Sequence, residues 1–382
     1  MKSEKILAFK ENPALIKLEL LVNGVNIRAN LNLNENEAPE RYIYDSSKNT
    51  DLNVPSEIIL PKNIVSNIFF SEESPWLIKE RRLFYKNTEI CTIKFTPESN
   101  FSKHKLLDGS PASKFVVMYG LDVLAIFLNK YCTYFKNKEG CHFCSAEYNI
   151  KHKGKDNPIK LRLDKVIETF KLALEMDYNL FNYVMISSGA YPNPNNGILS
   201  QMKYIQNMRN VNKGKNKKYH LVTIPPTSNE LLHMLAEEGP ETVAFDIEIF
   251  DPDLFKKYCL GKEKQIGYER FLRIFEDASK IFQKNRVKAG FVCGLESRKS
   301  IINGMKFFGR LGIPSSLNIF HPDRGSKLEN YPIPSSDYLS DVLIEQSKIN
   351  DTYSLIPIFP EFGRRSSLDT EVYRGFFNDI SH

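Results

Sequence analysis

The 382-residue sequence has no long apolar run, no strong excess of either charge and few cysteines. Its longest apolar stretch, residues 115–129, is interrupted by Gly120 and Asp122 and is shorter than the roughly 20 residues that cross a bilayer. The first residues lack the apolar core of a secretory signal, so we expect a cytoplasmic protein with no membrane partner. The formal net charge of +6, from 52 basic and 46 acidic residues, argues against nucleic acid as a partner.

Six cysteines without a secretory signal do not predict a disulfide framework, because a reducing cytoplasm keeps thiols free. Three of them, Cys132, Cys141 and Cys144, lie within thirteen residues, and such clustering indicates a metal or redox site. The other three, Cys91, Cys259 and Cys293, are spread over the chain. We expect them to be structural, since a free cysteine packs as a small buried hydrophobe.

From residue 114 onward, short apolar strands alternate with amphipathic helices, the pattern of βα units around a parallel sheet. The six expected strands are residues 115–127, 183–187, 220–224, 242–249, 287–293 and 316–320. The expected helices are residues 163–176, 197–210, 229–238, 268–282 and 298–311. Six units predict an α/β fold with a partial (β/α)6 TIM-like barrel, because a closed barrel needs eight.

The regions outside this alternation divide the chain into three expected parts. Residues 1–110 are expected to form an N-terminal β-rich region, with one hairpin at Asn23-Gly24, between apolar runs 15–22 and 25–33, and another at residues 86–88. Residues 111–335 are expected to form the barrel. Residues 336–382 are expected to form a C-terminal helix, near residues 337–349, and a tail.

The clustered cysteines follow the first barrel strand, which places three thiols at the carboxyl edge of the sheet, where functional groups gather. A closed 4Fe-4S site needs four cysteines, so three leave one iron open to a small molecule. The amino-carboxylate end of S-adenosylmethionine fits such an open position. Zinc held by the three cysteines and His142 or His152 is the alternative reading of the same residues.

The cysteine loop resembles that of the radical S-adenosylmethionine (SAM) superfamily, and the resemblance covers roughly residues 114–330. Cys141-His142-Phe143-Cys144 ends with the aromatic residue that in this superfamily packs near the adenine. Eight residues separate Cys132 from Cys141, so the chain resembles a non-standard C-x8-C-x2-C member. The resemblance implies a 4Fe-4S cluster on the three cysteines, S-adenosylmethionine as cofactor, and an electron donor such as flavodoxin or ferredoxin.

Other segments resemble the cofactor contacts of the superfamily. Ser187-Ser188-Gly189 stands in the place of the motif that meets the amino group of the methionine moiety, and residues 290–296 look like the fifth-strand motif that supports the adenine. Residues 257–270, 294–296 and 320–326 are similar to biotin-synthase-related enzymes. The cofactor-binding residues that the resemblance implies are Phe143, Ser187, Ser188, Gly189, Asp246, Glu248, Gly294 and Glu296.

The resemblance further implies reductive cleavage of SAM and hydrogen abstraction from a small-molecule biosynthetic substrate. Candidate substrate contacts at strand ends are Tyr191, Asn193, Thr223, Asn318, His321 and Arg324. Arg364 and Arg365 could fold over the mouth and bind an anionic group, but a solvated tail is the expectation. Two alternatives stay open: radical modification of RNA or a peptide, with residues 1–110 as recognition domain, and a zinc-stabilised binding module without catalysis.

Overall fold

The computed structural model describes residues 2–27, 31, 33, 37, 55–152, 159–213 and 216–378. The helices are α1 (Lys2–Glu11), α2 (Pro13–Asn23), α3 (Thr133–Lys136), α4 (Ala146–His152), α5 (Leu163–Met176), α6 (Pro194–Val211), α7 (Asn229–Glu237), α8 (Pro252–Tyr258), α9 (Leu260–Gln265), α10 (Tyr268–Ile281), α11 (Arg298–Arg310), α12 (Ser336–Tyr353) and α13 (Asp369–Tyr373). Within the described residues, none of them combines the length and the apolar character needed to span a bilayer.

The strands are β1 (Asn26–Ile27), β2 (Glu57–Leu60), β3 (Ile64–Asn67), β4 (Trp76–Lys79), β5 (Arg82–Tyr85), β6 (Thr88–Thr92), β7 (Lys94–Phe95), β8 (Val117–Tyr119), β9 (Val123–Phe127), β10 (Tyr183–Ser187), β11 (Lys218–Thr223), β12 (Thr242–Glu248), β13 (Val287–Cys293) and β14 (Ser315–Ile319). They form a seven-stranded sheet in the order β14-β13-β12-β11-β10-β9-β8, a four-stranded sheet β1-β4-β5-β6 and a three-stranded sheet β3-β2-β7.

The seven-stranded sheet is the predicted partial barrel. Strands β9 to β14 are parallel and adjacent in chain order, with helices in every connection, and the sheet curls into a half-barrel. This confirms the predicted fold class. The single strand expected at residues 115–127 is instead the antiparallel pair β8 and β9, because Gly120, at φ +64°, turns the chain between them.

Helices pack on the outside of the sheet through apolar stripes of helical period. In α10, for example, Phe271, Phe275 and Ala278 are fully buried. The ring of Phe275 contacts Phe245 of β12 at 5.8 Å and Phe308 of α11 at 4.6 Å between centroids. The parallel strands are therefore covered on this face, and their carboxyl ends are left to build a site.

The hairpin expected at Asn23-Gly24 is wrong, because residues 13–23 form helix α2. Asn12 caps this helix by accepting a hydrogen bond from the Ala14 N–H at 3.0 Å, and Pro13 suits the first turn. Gly24, at φ +64°, ends it. Because α2 is buried on most sides, its apolar run shows no clear helical period. The second expected hairpin is confirmed as β5 and β6, joined by two residues of positive φ, Lys86 and Asn87.

Residues 354–368, here called the C-terminal segment, enter the half-barrel instead of forming a solvated tail. Phe359 is 1% exposed and its ring meets those of Tyr183 and His220 at 5.1 and 5.6 Å. Lys288 of β13 donates a hydrogen bond to the Ile356 carbonyl at 2.5 Å. The expected solvated tail is therefore wrong, since apolar and polar contacts both hold this segment inside the sheet.

Contacts over long sequence distances fix the C-terminal segment against the N-terminal region. The ammonium group of Lys17 in α2 is fully buried and donates to the Arg364 carbonyl at 2.8 Å and to the Glu371 carboxylate at 2.9 Å. The Asn67 N–H donates to the Arg365 carbonyl at 3.0 Å. A buried charge needs such partners to be tolerated. The N-terminal region, the half-barrel and the C-terminal segment therefore meet at the mouth of the sheet.

Candidate active site

The three clustered cysteines lie in the connection between β9 and α5. Cys132 immediately precedes α3, and backbone N–H groups of Tyr134 and Ala190 donate to its sulfur. The backbone N–H of Ala146 donates to the sulfur of Cys144. Burial raises the pKa of both thiols, and these N–H groups oppose that effect. Donors aimed at sulfur stabilise the thiolate, which is the form that binds iron.

Gly189 allows the chain after β10 to pass directly beneath Cys132. A Cβ atom on Gly189 would lie 2.7 Å from the Tyr131 carbonyl oxygen and 2.9 Å from the Cys132 Cα, closer than real Cβ atoms approach. The Gly189 N–H donates to the Asn129 carbonyl at 2.7 Å, and the Thr133 N–H donates to the Ala190 carbonyl at 2.9 Å. The Ser187-Ser188-Gly189 motif and the first cysteine are therefore adjacent.

Cys141 has a neighbour that the sequence did not identify. Cys259, fully buried after α8, forms a hydrogen bond with Cys141. That bond is the main cause that lowers the pKa of Cys141, and the Lys262 ammonium group adds to it. The loop is held here by the His142 N–H, which donates to the Tyr258 carbonyl at 2.9 Å. The structural role expected for Cys259 rested on its isolation in sequence, which carries no information on the spatial contact.

Charged groups concentrate at the carboxyl ends of β12 and β13. Lys262, which lies in the segment 257–270 but was given no role of its own from sequence, is largely buried and donates to the Asp246 carbonyl and to the Glu248 carboxylate, the latter at 2.6 Å. Burial raises the pKa of Glu248 to about 7, although Lys262 opposes the shift. Glu248 adopts φ +71° at a bulge between β12 and β13. Such a backbone is strained for a non-glycine residue and is typical of functional sites.

Gly290 of β13 makes room for the first of these carboxylates. A Cβ atom on Gly290 would lie 1.8 Å from the Asp246 Oδ1 atom. The glycine-containing motif at residues 290–296 therefore supports the position of Asp246. Glu296, 6% exposed, accepts hydrogen bonds from the Phe250 and Asp251 N–H groups at 2.9 Å each and so holds the start of α8.

Gly294 turns the chain after β13 at φ +118°, where a Cβ atom would lie 2.6 Å from Pro334. Neither Gly294 nor Glu296 lines the cavity described below. Of the implied cofactor residues, Phe143 and Ser187 line that cavity. Ser188, Gly189, Asp246 and Glu248 do not, and Gly294 and Glu296 shape the neighbouring loops.

The donor set at the cysteine loop suits an iron-sulfur cluster. In the described part of the chain, no three His, Cys, Asp or Glu side chains are arranged around a single metal ion. The His142 Nε2 atom lies 3.3 Å from Lys327 Nζ, and the side chain of His152 is outside the described residues. In a 4Fe-4S cluster each cysteine binds its own iron, so the thiolates need not converge on one ion. Three thiols supported by backbone N–H donors fit that requirement.

A cavity of about 320 Å³ opens at the mouth of the half-barrel. Its volume falls within the range of small-molecule sites. The lining residues come from the cysteine loop, the strand ends, the N-terminal region and the C-terminal segment: Asn67, Phe69, Tyr119, Phe143, Met185, Ser187, Val222, Val292, Asn318, Ile319, Phe320, His321, Asp323, Arg364, Arg365 and Ser366. Residues of the N-terminal region, the half-barrel and the C-terminal segment therefore line the same cavity.

The cavity brings together some of the predicted substrate contacts. Asn318 and His321 line it, and the His321 ring stacks on Phe69 at 3.8 Å with Nδ1 2.9 Å from the Asp323 carboxylate. Asn67 and Phe69 of the N-terminal region and the two arginines of the C-terminal segment also line it. Sequence patterns do not show which distant segments cover a barrel. For this reason Asn67 and Phe69 were not predicted as cavity residues, and Arg364 and Arg365 were expected in a solvated tail.

The remaining predicted contacts do not line the cavity. Tyr191 packs against Gly197 of α6, Asn193 caps that helix, and Thr223 donates to Gln201 at 2.7 Å. Arg324 is exposed, with its guanidinium group 5.9 Å from the centre of the Tyr148 ring. These side chains serve packing, capping and surface contacts.

Comparison with known proteins gives a family and several relatives. Residues 132–308 match the family model described as the radical SAM superfamily. The bacteriochlorophyllide c C-7(1)-hydroxylase of Chlorobaculum limnaeum is 27% identical over 130 residues, which are 34% of this chain and 32% of that protein. The chain thus spans about a third of the length of this curated relative. The family match is to the superfamily as a whole, so the biotin-synthase-related subgroup stays a prediction.

Two solved structures are similar in part. HydG, a maturase of the [FeFe]-hydrogenase, aligns with 15% identity and a TM-score of 0.49 over 66% of this chain and 55% of its own. The radical SAM methyltransferase TsrM of Kitasatospora setae, solved with cobalamin and a [4Fe-4S] cluster, aligns with 15% identity and a TM-score of 0.36 over 55% of this chain and 39% of its own. The family match, rather than these structures, implies a 4Fe-4S cluster and SAM as cofactors. The chain is therefore an enzyme that contains a radical SAM domain at residues 132–308.

Proposed function

We propose that this protein abstracts a hydrogen atom from a small-molecule substrate held in the half-barrel cavity. The main support for this proposal is the lining of the cavity. It includes Phe143 and Ser187, from the implied cofactor site, and Asn318 and His321, from the strand ends expected to contact substrate. A cofactor placed beside Phe143 and a substrate placed beside His321 would share one cavity. Reaction between them requires that proximity.

We assign the cluster to Cys132, Cys141 and Cys144, with SAM next to it. When bound, the cluster and SAM supply a one-electron cleavage of the sulfonium carbon-sulfur bond that leaves a 5'-deoxyadenosyl radical. Ser187-Ser188-Gly189, beside Cys132, would meet the methionine end, and Phe143 the adenine. Asp246 and Glu248 would offer carboxylates to the ribose or amino group, and Lys262 pairs with the Glu248 carboxylate at 2.6 Å.

The side chains of the cavity would shield the radical from water and orient the substrate. Met185, Val222, Val292 and Ile319 give it apolar walls, which keep water from a reactive carbon centre. The C-terminal segment closes the open half-barrel with Phe359, so the chamber does not depend on a complete eight-stranded barrel. The name of the bacterial relative, a hydroxylase, fits a reaction at an unreactive C–H bond.

A small substrate is favoured over RNA or a peptide by the N-terminal region. Asn67 and Phe69 from this region form part of the cavity wall, and the Asn67 N–H holds the Arg365 carbonyl. The N-terminal region thus forms part of the cavity wall, which gives no support to a separate role in recognising RNA or a peptide. The mild net charge of +6 also lacks the concentrated basic footprint expected for RNA binding. We further propose a cytoplasmic location and a flavodoxin or ferredoxin as electron donor.

The experiment measures 5'-deoxyadenosine after anaerobic reconstitution with iron and sulfide, followed by reduction with dithionite in the presence of SAM. The wild-type chain should form 5'-deoxyadenosine, and Cys132→Ala, Cys141→Ala and Cys144→Ala should each fall to background. Cys293→Ala is the matched control, because Cys293 is a fully buried strand residue outside the loop. A wild-type preparation with a full iron content that forms no 5'-deoxyadenosine would contradict the proposal.

A further inference from the structure

Two consecutive arginines, Arg364 and Arg365, are among the residues that line the cavity, and hydrogen abstraction by itself does not require them. Both come from the C-terminal segment, and their side chains are 15% and 4% exposed. Arginine is the residue best suited to planar, bidentate recognition of an oxyanion. We propose that the substrate of this site carries a carboxylate group and that Arg364 binds it; the inference rests on the proposed function.

Arg364 is held in place from one side only. Its Nη2 atom donates to the Ser316 hydroxyl at 2.6 Å and lies 3.3 Å from the Asp369 carboxylate. Within the part of the chain that the structure describes, its Nε and Nη1 atoms have no hydrogen-bond partner. With Nη2 fixed, the plane of the guanidinium group is set, and the N–H groups of Nε and Nη1 stay available to a ligand. The carboxylate would therefore find its donors already oriented, which reduces the entropy lost on binding.

The backbone of Arg364 is equally fixed. Its carbonyl accepts a hydrogen bond from the buried Lys17 ammonium group at 2.8 Å, and that of Arg365 accepts one from the Asn67 N–H at 3.0 Å. Asp369 in turn accepts a hydrogen bond from the Leu317 N–H at 3.0 Å and one from the Ser316 hydroxyl at 2.8 Å. The supporting groups are thus themselves bonded, as a specific binding site requires.

The balance of charge favours a carboxylate over a phosphate group. Arg365 pairs with Glu57 at 3.5 Å, and Arg364 is partly balanced by Asp369. Asp323 is the single carboxylate among the lining residues; its Oδ1 atom lies 2.9 Å from His321 Nδ1, and its Oδ2 atom accepts a hydrogen bond from the Ser145 hydroxyl at 3.2 Å. Because each arginine already has a carboxylate beside it, the site has little positive charge left to balance a dianion, and a monoanion fits it better.

The rest of the lining describes the other part of the substrate. Phe143, Met185, Val222, Val292 and Ile319 are apolar and line the same cavity as the arginines. A substrate with an apolar or aromatic body and one carboxylate satisfies both parts of the cavity. Binding the carboxylate at Arg364 would direct the apolar body toward the cofactor, so the arginine would act in substrate positioning.

The test uses benzoate as an aromatic monocarboxylate, with benzamide as its neutral counterpart and phenyl phosphate as a dianionic one. Binding is measured by calorimetry on the full-length, anaerobically reconstituted protein with SAM present. We expect benzoate to bind at least tenfold more tightly than benzamide or phenyl phosphate. Arg364→Gln should weaken benzoate binding by about ten- to a hundredfold, which corresponds to loss of one charge-assisted interaction, and leave benzamide binding unchanged. Arg310→Gln, at the exposed end of α11, is the control and should bind as wild type.

Three results would overturn the proposal: no binding of benzoate, equal binding of benzoate and benzamide, or tighter binding of phenyl phosphate. If Arg364→Gln does not fold, Arg364→Lys serves instead, because it keeps the charge but loses the planar, fixed N–H donors of the guanidinium group; unchanged benzoate affinity in that variant also overturns the proposal. Formation of 5'-deoxyadenosine is measured on the same preparation. Failure of benzoate binding with intact SAM cleavage rejects the carboxylate site alone, whereas loss of SAM cleavage with intact benzoate binding rejects the proposed function alone.

Discussion

Gly189 links backbone packing to a proposed iron ligand. The chain that leaves β10 passes so close to Cys132 that a methyl group on Gly189 would lie 2.9 Å from the Cys132 Cα. Gly189→Ala should therefore displace Cys132 and reduce the iron bound per chain after reconstitution. Gly309→Ala is the matched control, because its Cβ would meet the Tyr353 side chain at 2.7 Å, at the contact between α11 and α12. A Gly189→Ala protein with wild-type iron content would show that the close approach has no bearing on the cluster.

Asp122 predicts how stability depends on pH. Its carboxylate is 3% exposed, and burial, with the nearby Glu361, raises its pKa to about 7. The pKa of an unfolded aspartate is about 3.9. Between these two pH values Asp122 keeps its proton in the folded state but releases it in the unfolded chain. The free energy of unfolding therefore falls as pH rises through this range, and the fall is complete above pH 7.

Asp122→Asn removes this ionisation. Between pH 5 and pH 8 the free energy of unfolding of wild type should therefore fall relative to that of the variant by about 3 kcal/mol, since each pKa unit corresponds to about 1.36 kcal/mol. Urea unfolding of identically prepared proteins measures the difference, and Asp253→Asn, at an exposed residue of α8, is the control. A difference between wild type and Asp122→Asn that does not change with pH would contradict the expectation.

At the scale of secondary-structure elements, sequence patterns predicted the barrel and failed where burial removes periodicity. Strands β10 and β13 and helix α5 have the predicted bounds. The two strands are short, mostly apolar runs that are buried on both faces, as in a covered parallel sheet, and α5 carries a helical period. Helix α2 is apolar on most sides, and its run ends in Asn-Gly, so it was predicted as a hairpin strand. Asn12 followed by Pro13 was the available signal for a helix start.

The position of the C-terminal segment could not be predicted from sequence either, because residues 354–368 contain no periodic pattern that indicates what they contact.

The burial of this segment predicts how substitutions in it change the free energy of unfolding. Phe359→Ala should lower the free energy of unfolding by about 3–5 kcal/mol, the usual cost of truncating a buried phenylalanine. Ile356→Ala, at a side chain that is 40% exposed in the same segment, should change it by less than about 0.5 kcal/mol. Urea unfolding compares the two; equal effects would mean that the segment does not seal the half-barrel.

At the scale of the whole molecule, the cavity belongs to no single part of the sequence. The N-terminal region gives Asn67 and Phe69, the half-barrel gives the strand ends, and the C-terminal segment gives the arginines. The ion pair of Lys17 and Glu371 joins residues 354 positions apart. Motif reading located the cysteine loop and the strand ends, since their spacing is local. It placed Arg364 in a solvated tail, treated Cys259 as structural and gave Lys262 no individual role, since the contacts of these residues join distant segments of the chain.

The central claim is that Cys132, Cys141 and Cys144 hold a 4Fe-4S cluster with one iron open to SAM. Electron paramagnetic resonance of the dithionite-reduced, anaerobically reconstituted protein tests it most directly, because a ligand on the open iron changes the spectrum of the cluster. We expect a reduced 4Fe-4S signal that shifts when SAM is added and that is absent from Cys132→Ala, Cys141→Ala and Cys144→Ala. A signal that SAM leaves unchanged, or a protein that retains zinc and no iron, would contradict it.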